Sequence, residues 1–192
     1  SNTNPLTGTA PVSTLAHTPI SVSVLKTLTQ NYPNEADATL LVNGFTFGFR
    51  IPYSGQRIGR FSPNHASAKR LPHVVSDKLA KEVALGRVAG PFPEPPLHNL
   101  IVSPIGLTPK KQPGEFRLIF DLSYPAGSSV NDGIEQSLCS VEYAKFDDAI
   151  RMIQQLGPEA MLVKVDIQSA FRLLPIHPDD FGLLGMYHDG QF

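Results

Sequence analysis

The stretch that decides the fold is residues 103–125, which read SPIGLTPKKQPGEFRLIFDLSYP. Residues 99–110 have the composition of a strand, Pro113 and Gly114 are typical of a tight turn, and residues 115–122 alternate as a second strand. Proline followed by glycine fits a type II turn, with a loop of two or four residues. The pattern predicts a β-hairpin whose second strand has one apolar face, formed by Phe116, Leu118, Phe120 and Leu122.

Two cations face each other in the register that this turn predicts. Lys110 lies directly across from Arg117 on the polar face of the hairpin. Like charges opposed in a sheet are unfavourable by about 0.2–1 kcal/mol unless an anion lies between them. A triphosphate is such an anion, so the pair indicates a phosphate-binding hairpin. The alternative is that both side chains extend into water at an exposed tip.

Charge is distributed unevenly along a chain whose net charge is only -1. Residues 1–49 carry a net charge of -1, residues 50–120 a net charge of +7 and residues 121–192 a net charge of -7. A basic part beside an acidic part suits a protein that binds phosphates with one and metal cations with the other. The alternative is two surfaces that water solvates differently.

A carboxylate stands at the end of an apolar run. Residues 160–166 read AMLVKVD and follow a predicted helix over residues 143–156. The run is typical of a short buried strand, with Lys164 and Asp166 on one face. An aspartate at the exit of such a strand can hold a divalent cation that prefers oxygen ligands. The alternative is an N-cap, since aspartate before a short helix is among the most frequent caps.

The remaining pattern places mostly helices around these two features. Residues 1–19 are predicted to form a flexible leader and residues 90–96 a stiff connector rich in proline and glycine. Asp189 and Gly190 indicate a hairpin turn. Helical spacing covers residues 20–28, 35–41, 64–71 and 74–85, and residues 44–49 alternate like a strand.

Several classes of protein are disfavoured by the sequence. Cys139 is the single cysteine, and the six histidines show no zinc-ligand spacing. Walker and nucleophile-elbow signatures are absent from the sequence. A single cysteine cannot form an internal disulfide, and the N-terminus shows no signal-peptide pattern, so we expect an intracellular protein, in cytoplasm or nucleus. No apolar window approaches the length of a membrane span, so we expect no membrane partner. Two acidic pairs, Asp147-Asp148 and Asp179-Asp180, are interpreted as a solvated helix face and a helix N-terminus.

Three blocks, taken in order, resemble the motifs of reverse transcriptases. They are residues 103–111 (SPIGLTPKK), 114–125 (GEFRLIFDLSYP) and 163–175 (VKVDIQSAFRLLP). Together with SVND at residues 129–132 and GPF at residues 90–92, the residues of these motifs are most similar to those of DIRS-type retrotransposons, which carry a tyrosine recombinase. The resemblance covers residues 70–192, and three ordered blocks are far more specific than any one of them.

The resemblance implies an α+β fold of the right-handed polymerase type. Residues 1–70 would be a helical and irregular leader and extension, residues 71–134 the fingers with the phosphate-binding hairpin, and residues 135–192 the first part of the palm. The implied activity is RNA-directed DNA synthesis, in which two Mg²⁺ ions help to add deoxynucleotides to a primer.

Site residues follow from the same resemblance. Lys110 and Arg117 would contact the triphosphate of the incoming deoxynucleotide, and Asp166 and the carbonyl of Ile167 would bind metal. The amides of Ser169 and Ala170 would lie near phosphates. Phe171 would be the steric gate that leaves no room for a 2′-hydroxyl, with core packing of its ring as the alternative. The full set of proposed site residues is Lys110, Arg117, Asp166, Ile167, Ser169, Ala170 and Phe171.

The implied partners are an RNA or DNA template, a DNA primer and a deoxynucleoside triphosphate, with RNase H and recombinase regions further along the parent polyprotein. The family's second catalytic motif, a pair of aspartates on a hairpin, is expected after residue 192, so we expect this chain to be inactive as a polymerase on its own. The alternative function is a nucleic-acid-binding remnant of a retroelement without catalysis. A nucleotidyltransferase of another kind would need different blocks around its carboxylates.

Overall fold

The computed structural model of the protein describes residues 15–192, so the predicted leader lies outside the described residues as far as residue 14. The secondary structure is mixed, with short helices and two small sheets. The helices are α1 (Val22–Leu28), α2 (Glu35–Phe47), α3 (Ala66–Arg70), α4 (Pro72–Ala84) and α5 (Phe146–Leu156). The strands are β1 (Arg60–Phe61), β2 (Ile101–Val102), β3 (Ile105–Pro109) and β4 (Phe116–Phe120).

One core lies between the hairpin of β3 and β4 and the helices α3 and α4. The strands pair antiparallel from Ile105 opposite Phe120 to Pro109 opposite Phe116. Ile105 and Leu107 are buried against Ala68 and Val75. Leu118 packs on the same cluster, which confirms that one face of the predicted second strand is apolar. The hairpin is therefore held by its inner face; its outer face is covered near the base, where Gly106 is buried beside His65 and Ser67, and is exposed towards the tip, at Thr108 and Arg117.

A second core joins β2 to the end of the chain. β1 and β2 pair in parallel, and Ile101 is buried with Val130 and Leu183. Gly185 extends this sheet by an isolated parallel bridge to Val102. Its amide donates to the carbonyl of Ile101 over 2.9 Å. Residues more than 80 positions apart thus share one small sheet.

Helices were predicted well, with one exception. Helical periodicity placed α1, α3, α4 and α5 within a few residues of their observed bounds. The strand predicted over residues 44–49 is wrong, because α2 continues to Phe47. Asn34 caps this helix by accepting from the amide of Asp37 over 3.2 Å, and each further helical residue then adds a hydrogen bond. The helix ends at Gly48, whose φ of 96° suits glycine alone.

The strand predicted over residues 99–110 is divided in two. Residues 103 and 104 separate β2 from β3. Ser103 donates its amide to the carbonyl of Gly185 over 3.0 Å, whereas Pro104 has no amide hydrogen to give to a ladder. The carbonyl of Pro104 instead accepts from the amide of Asp121 over 2.9 Å. β2 and β3 therefore belong to different sheets.

The predicted buried strand over residues 160–166 is also wrong. These residues form neither helix nor strand, and Met161 is 91% exposed. Within the described part of the chain, no strand lies beside them, so their backbone groups have no ladder to join. The preceding helix α5 buries none of its residues. An apolar run is thus not enough to form a strand here, because residues 160–166 have no pairing partner among residues 15–192.

The hairpin turn predicted at Asp189 and Gly190 is confirmed. Both residues have positive φ, 49° and 77°, and His188 pairs with Gln191 across the turn. This combination of dihedral signs is that of the two-residue hairpin turn favoured by an aspartate followed by glycine. The turn brings Phe192 back to the connector, where it exchanges two backbone hydrogen bonds of 2.9 Å with Phe92.

Candidate functional site

The tip of the β3–β4 hairpin is a four-residue loop with a type II turn inside it. The loop comprises residues 111–114, closed by a hydrogen bond of 2.8 Å from the amide of Lys110 to the carbonyl of Glu115. The amide of Glu115 donates to the carbonyl of Gln112 over 3.2 Å. Gly114 has a φ of 79°, as the third residue of a type II turn requires. The predicted turn type is confirmed.

The predicted opposition of Lys110 and Arg117 is wrong. Arg117 lies opposite Thr108. Lys110 lies next to Glu115, and its Nζ is 2.8 Å from a carboxylate oxygen of that residue. The observed loop, residues 111–114, begins and ends one residue earlier than a four-residue loop in the predicted register would. The partner of each residue across the hairpin is therefore shifted by two positions. Opposite charges directly across a sheet are favourable, whereas the predicted arrangement would have opposed two cations.

A shift by two positions keeps every side chain on its face, so Lys110 and Arg117 still share the outer face of the hairpin. They are neighbours across a diagonal instead of a direct pair. The ion pair with Lys110 partly neutralises that side chain. Within residues 15–192, Arg117 has no ion-pair partner, and it is exposed. Arg117 is therefore the cation that this face offers most freely to an anion.

Lysine charges also act on the carboxylate at the tip. The hydrogen bond and the charge of Lys110 hold the pKa of Glu115 below its ordinary value, and the charge of Lys78 on α4 contributes less. Glu115 is thus ionised at neutral pH and competes with any bound anion for these cations. We call the surface formed by Lys78, Lys110, Lys111 and Arg117 the hairpin surface; the carboxylate of Glu115 lies beside Lys110 within it.

Helix α4 connects the hairpin surface with the segment that carries the predicted metal ligand. Glu82 lies one turn after Lys78, so both side chains are on the same face of α4. Glu82 forms an ion pair with Arg172, and a second, longer one with Arg87 at 3.7 Å. Arg172 belongs to a short 3-10 helix, Ala170–Arg172. The part of the predicted palm around residues 170–172 is therefore joined by an ion pair to α4, the helix whose Lys78 lies near Glu115 at the hairpin tip.

Asp166 is exposed in an extended stretch before this 3-10 helix. It is not the N-cap that the alternative interpretation required, because Ser169 holds that position. Asp166 and the carbonyl of Ile167 have the hard oxygen chemistry that Mg²⁺ prefers. Among residues 15–192, no group of three or more histidine, cysteine, aspartate or glutamate side chains is placed to hold a metal ion. One carboxylate can contribute to a magnesium site but cannot by itself hold two ions in place.

The remaining predicted site residues lie together at the surface. Ser169 has a left-handed φ of 56°, and its carbonyl accepts from the amide of Arg172 over 2.8 Å. Ala170 and Phe171 follow in the 3-10 helix. The ring of Phe171 is 94% exposed, which excludes core packing as its role in this structure. The steric gate stays a prediction. The described structure records no ion pair or hydrogen bond between Asp166 and either cation of the hairpin.

Sequence reasoning missed a buried ion cluster around Asp180. The acidic pair begins the 3-10 helix Pro178–Leu183, as predicted, but Asp180 is fully buried. One carboxylate oxygen accepts from Arg50 Nε and from the amide of Ile51, both over 2.8 Å. The other accepts from Arg57 over 2.6 Å. No local signal could have found this cluster, because its partners are more than 120 residues apart.

A second unpredicted pair lies at the base of the hairpin. His65 Nε2 is 2.8 Å from a carboxylate oxygen of Asp121, just beyond the end of β4. The amide of His65 also donates to the carbonyl of Ile105 over 3.0 Å. These contacts join the start of α3 to both strands of the hairpin. They fix the hairpin from its base, so that its tip is the part free to meet a ligand.

Comparison with known proteins gives no relative: no protein-family model, no curated protein and no solved structure matches this chain. None of the helices in residues 15–192 combines the length and the apolar character needed to cross a membrane.

Proposed function

We propose that this chain is the fingers and the first part of the palm of an RNA-directed DNA polymerase, and that its hairpin surface binds the triphosphate of a deoxynucleotide. The observation that carries the proposal is the outer face of the β3–β4 hairpin, which presents Lys110 and Arg117 from the first two of the three blocks that resemble reverse transcriptases, Arg117 having no ion-pair partner among residues 15–192. The third block, with Asp166, follows in the expected order.

The geometry suits a phosphate chain better than a single carboxylate. Arg117 offers several N–H donors in one plane, which can contact two phosphate oxygens at once. Lys110 adds charge on the same face, Lys78 lies close enough to act on Glu115, and displacement of the Glu115 carboxylate by a phosphate would release Lys110. A polyanion gains from all of these cations, whereas a carboxylate ligand would replace only one ion pair.

The proposed reaction is primer extension on an RNA or DNA template. Asp166 and the carbonyl of Ile167 are the groups of this chain proposed to hold Mg²⁺, which when bound activates the primer 3′-hydroxyl and neutralises charge on the leaving pyrophosphate. The chain's own part is then to bind the triphosphate through Arg117 and Lys110. Phe171 is proposed to exclude a 2′-hydroxyl from the sugar site.

Calorimetric titration of the 192-residue chain with magnesium deoxynucleoside triphosphate tests the proposal. Replacement Arg117→Ala should weaken binding by about 10- to 100-fold, since charge-assisted hydrogen bonds to phosphate are lost. The matched control is Arg70→Ala, which removes an exposed arginine on α3. Equal affinities in the wild type and Arg117→Ala would refute the phosphate-binding hairpin.

A nucleic-acid-binding module without catalysis is the second candidate, supported by the 11 lysine and arginine residues between positions 50 and 120. Such a module needs a polyanionic surface but no triphosphate site. The same titration separates the two candidates when a short oligonucleotide is added. Under the polymerase proposal, Arg117→Ala weakens triphosphate binding far more than oligonucleotide binding; under the second candidate both ligands lose affinity alike.

A further inference from the structure

A pocket on the other side of α3 combines exposed aromatic, cationic and hydrogen-bonding groups. It has a volume of about 260 Å³ and lies between β1, α3 and the residues just before the end of the chain. Phe61, Lys69, Tyr187, His188 and Asp189 line it, together with Pro63, Asn64, Ala68 and Pro72. None of these residues belongs to the hairpin surface or to the predicted metal-binding segment.

Phe61 is held rigidly although its ring is 54% exposed. It lies on β1, and the flanking residues donate to β2: Arg60 to the carbonyl of Leu100 over 3.2 Å and Ser62 to that of Val102 over 3.0 Å. The ring meets Tyr187 edge to face, with centroids 5.3 Å apart at 76°. Such a contact uses at most one face of the Phe61 ring, so an aromatic surface stays open to a ligand.

The other wall of the pocket is fixed just as firmly. Asn64 donates to the carbonyl of Tyr187 over 2.7 Å and accepts from the amide of Ile105 over 2.9 Å. Tyr187 in turn packs on Phe192 with centroids 4.9 Å apart. The pocket is thus preformed, and binding would not need to order it first.

Charge in the pocket favours a ligand with both an anionic and a polar aromatic part. Lys69 is exposed and, within residues 15–192, forms no ion pair, so it can meet a phosphate. His188 is 2.8 Å from the hydroxyl of Ser76 and adds a hydrogen-bonding group. Asp189 supplies an acceptor, which repels a phosphate but suits the amino group of a base. A nucleotide in a single strand carries all of these groups.

We propose that this pocket binds a single-stranded nucleic acid, with one base stacked on Phe61 and an adjacent phosphate at Lys69. Stacking on an aromatic side chain accepts any base, and a nearby cation follows the backbone. A duplex would keep its bases stacked on each other and could not offer one to Phe61. The inference rests on the proposed function in one point: if the chain is part of a polymerase, the strand bound in this pocket is the template.

A unique fluorophore tests the stacking directly, because the chain contains no tryptophan. In Phe61→Trp, titration with a 12-nucleotide single strand of RNA or DNA should quench the indole fluorescence as a base stacks on it. The matched control is Phe47→Trp on α2, where the native ring is similarly exposed at 60% and lies outside the pocket. Equal quenching in both variants, or none in Phe61→Trp, would overturn the proposal.

Affinities measured by fluorescence anisotropy give the second test. Phe61→Ala should weaken binding of the single strand by about fivefold or more at every salt concentration, since stacking does not depend on counterions. Lys69→Ala should make the slope of log affinity against log salt shallower by about 0.7. A duplex of equal length that binds as tightly, with no loss in Phe61→Ala, contradicts the inference. Triphosphate binding is measured at Arg117, so either proposal can fail while the other stands.

Discussion

Asp180 is the residue on which the position of the segment before β1 depends. Its buried carboxylate accepts from two arginines and one amide, and its removal would leave the amide of Ile51 and part of each guanidinium without an acceptor, with Asp179 still close to Arg50. Removing one partner of such bonds costs more than their net contribution, because the remaining donors are left unsatisfied. The cluster therefore specifies which surface of the chain the segment lies against.

Asp180→Ala is expected to lower the free energy of unfolding by about 1–3 kcal/mol, measured by urea denaturation, because the donors to its carboxylate are left unsatisfied. The adjacent Asp179→Ala is the matched control, because it removes an exposed carboxylate 3.3 Å from the same Arg50. Exposed ion pairs contribute about 0–1 kcal/mol, so the control should unfold almost like the wild type. Similar losses in both variants would show that burial of the cluster does not matter.

The same carboxylate predicts how stability depends on pH. Burial raises the pKa of Asp180. Hydrogen bonds from Arg50, the Ile51 amide and Arg57, together with the charge of Arg50, lower it by a larger amount, so the net shift is downward. The unfolded chain then binds its proton first as pH falls. The stabilisation is complete above the ordinary carboxyl pKa near 4 and is lost as pH falls through the lower folded value. Asp180→Asn should flatten this acid limb of the stability curve.

Glu115 controls the charge available at the hairpin tip. Its carboxylate, ionised because Lys110 lowers its pKa, competes with a phosphate for that lysine. Glu115→Gln should therefore strengthen binding of magnesium deoxynucleoside triphosphate by about two- to fivefold, a change typical of an exposed ion pair. Calorimetry compares it with Glu94→Gln, which alters an exposed carboxylate in the connector. Weaker binding in Glu115→Gln would mean that the carboxylate positions Lys110 instead of blocking it.

At the scale of elements, sequence patterns predicted the parts that are locally determined. The turn at Pro113 and Gly114 follows from two residues that fit the dihedral angles of a type II turn, and α4 follows from apolar residues at helical spacing. Pairing register is different, because a shift by two leaves Lys110, Arg117 and all apolar side chains on their original faces. Alternation therefore could not distinguish the two registers, and the charge of Glu115 was the signal that favours the observed one.

Residues 160–166 show the limit of the same method. Their apolar run is typical of a strand, but a strand exists only when a second segment pairs with it, and such pairing depends on residues remote in sequence. Asp180 presents the same difficulty, since neither arginine partner is near it in the chain. The shared face of Lys110 and Arg117 could thus be predicted because one hairpin contains both residues, whereas contacts between residues distant in the chain could not.

The exposed segment predicts a pattern of hydrogen exchange. Amides of residues 160–168 make no backbone hydrogen bonds in the structure, whereas those of β3 and β4 are paired. Mass-spectrometric exchange should therefore be fast in peptides that cover residues 160–168 and slow in those that cover the hairpin. Repetition at several protein concentrations is the control for self-association. Slow exchange in residues 160–168 at every concentration would show that they pair within the chain after all.

At the scale of the whole molecule, charge is separated along the chain, although ion pairs such as Arg50–Asp180 join the basic and acidic parts. Residues 50–120, with a net charge of +7, form β1, α3, α4 and the β3–β4 hairpin, so they supply the hairpin surface and the Phe61 and Lys69 side of the pocket beside α3. The acidic residues 121–192 include α5 and the Asp166 segment. A polyanion would therefore be attracted to the exposed cations of residues 50–120 and repelled by the exposed carboxylates of residues 121–192, which orients it before any specific contact forms.

This arrangement predicts that binding of single-stranded nucleic acid weakens steeply with salt. Phosphates neutralised by lysine and arginine release counterions, and for a single strand each contact contributes about -0.7 to the slope of log affinity against log salt. Contact with about five phosphates gives a slope near -3.5, or about a 100-fold loss of affinity between 50 and 200 mM salt. Anisotropy titrations over that range measure it.

Two variants make the salt prediction specific to the basic part of the chain. Lys81→Ala combined with Lys111→Ala removes two exposed cations from α4 and the hairpin loop, and should make the slope shallower by about 1.4. Lys26→Ala, on α1 and outside the basic residues 50–120, should leave the slope unchanged. If the slope is flat in the wild type, or if Lys26→Ala changes it as much as the double variant does, then counterion release from residues 50–120 does not drive binding.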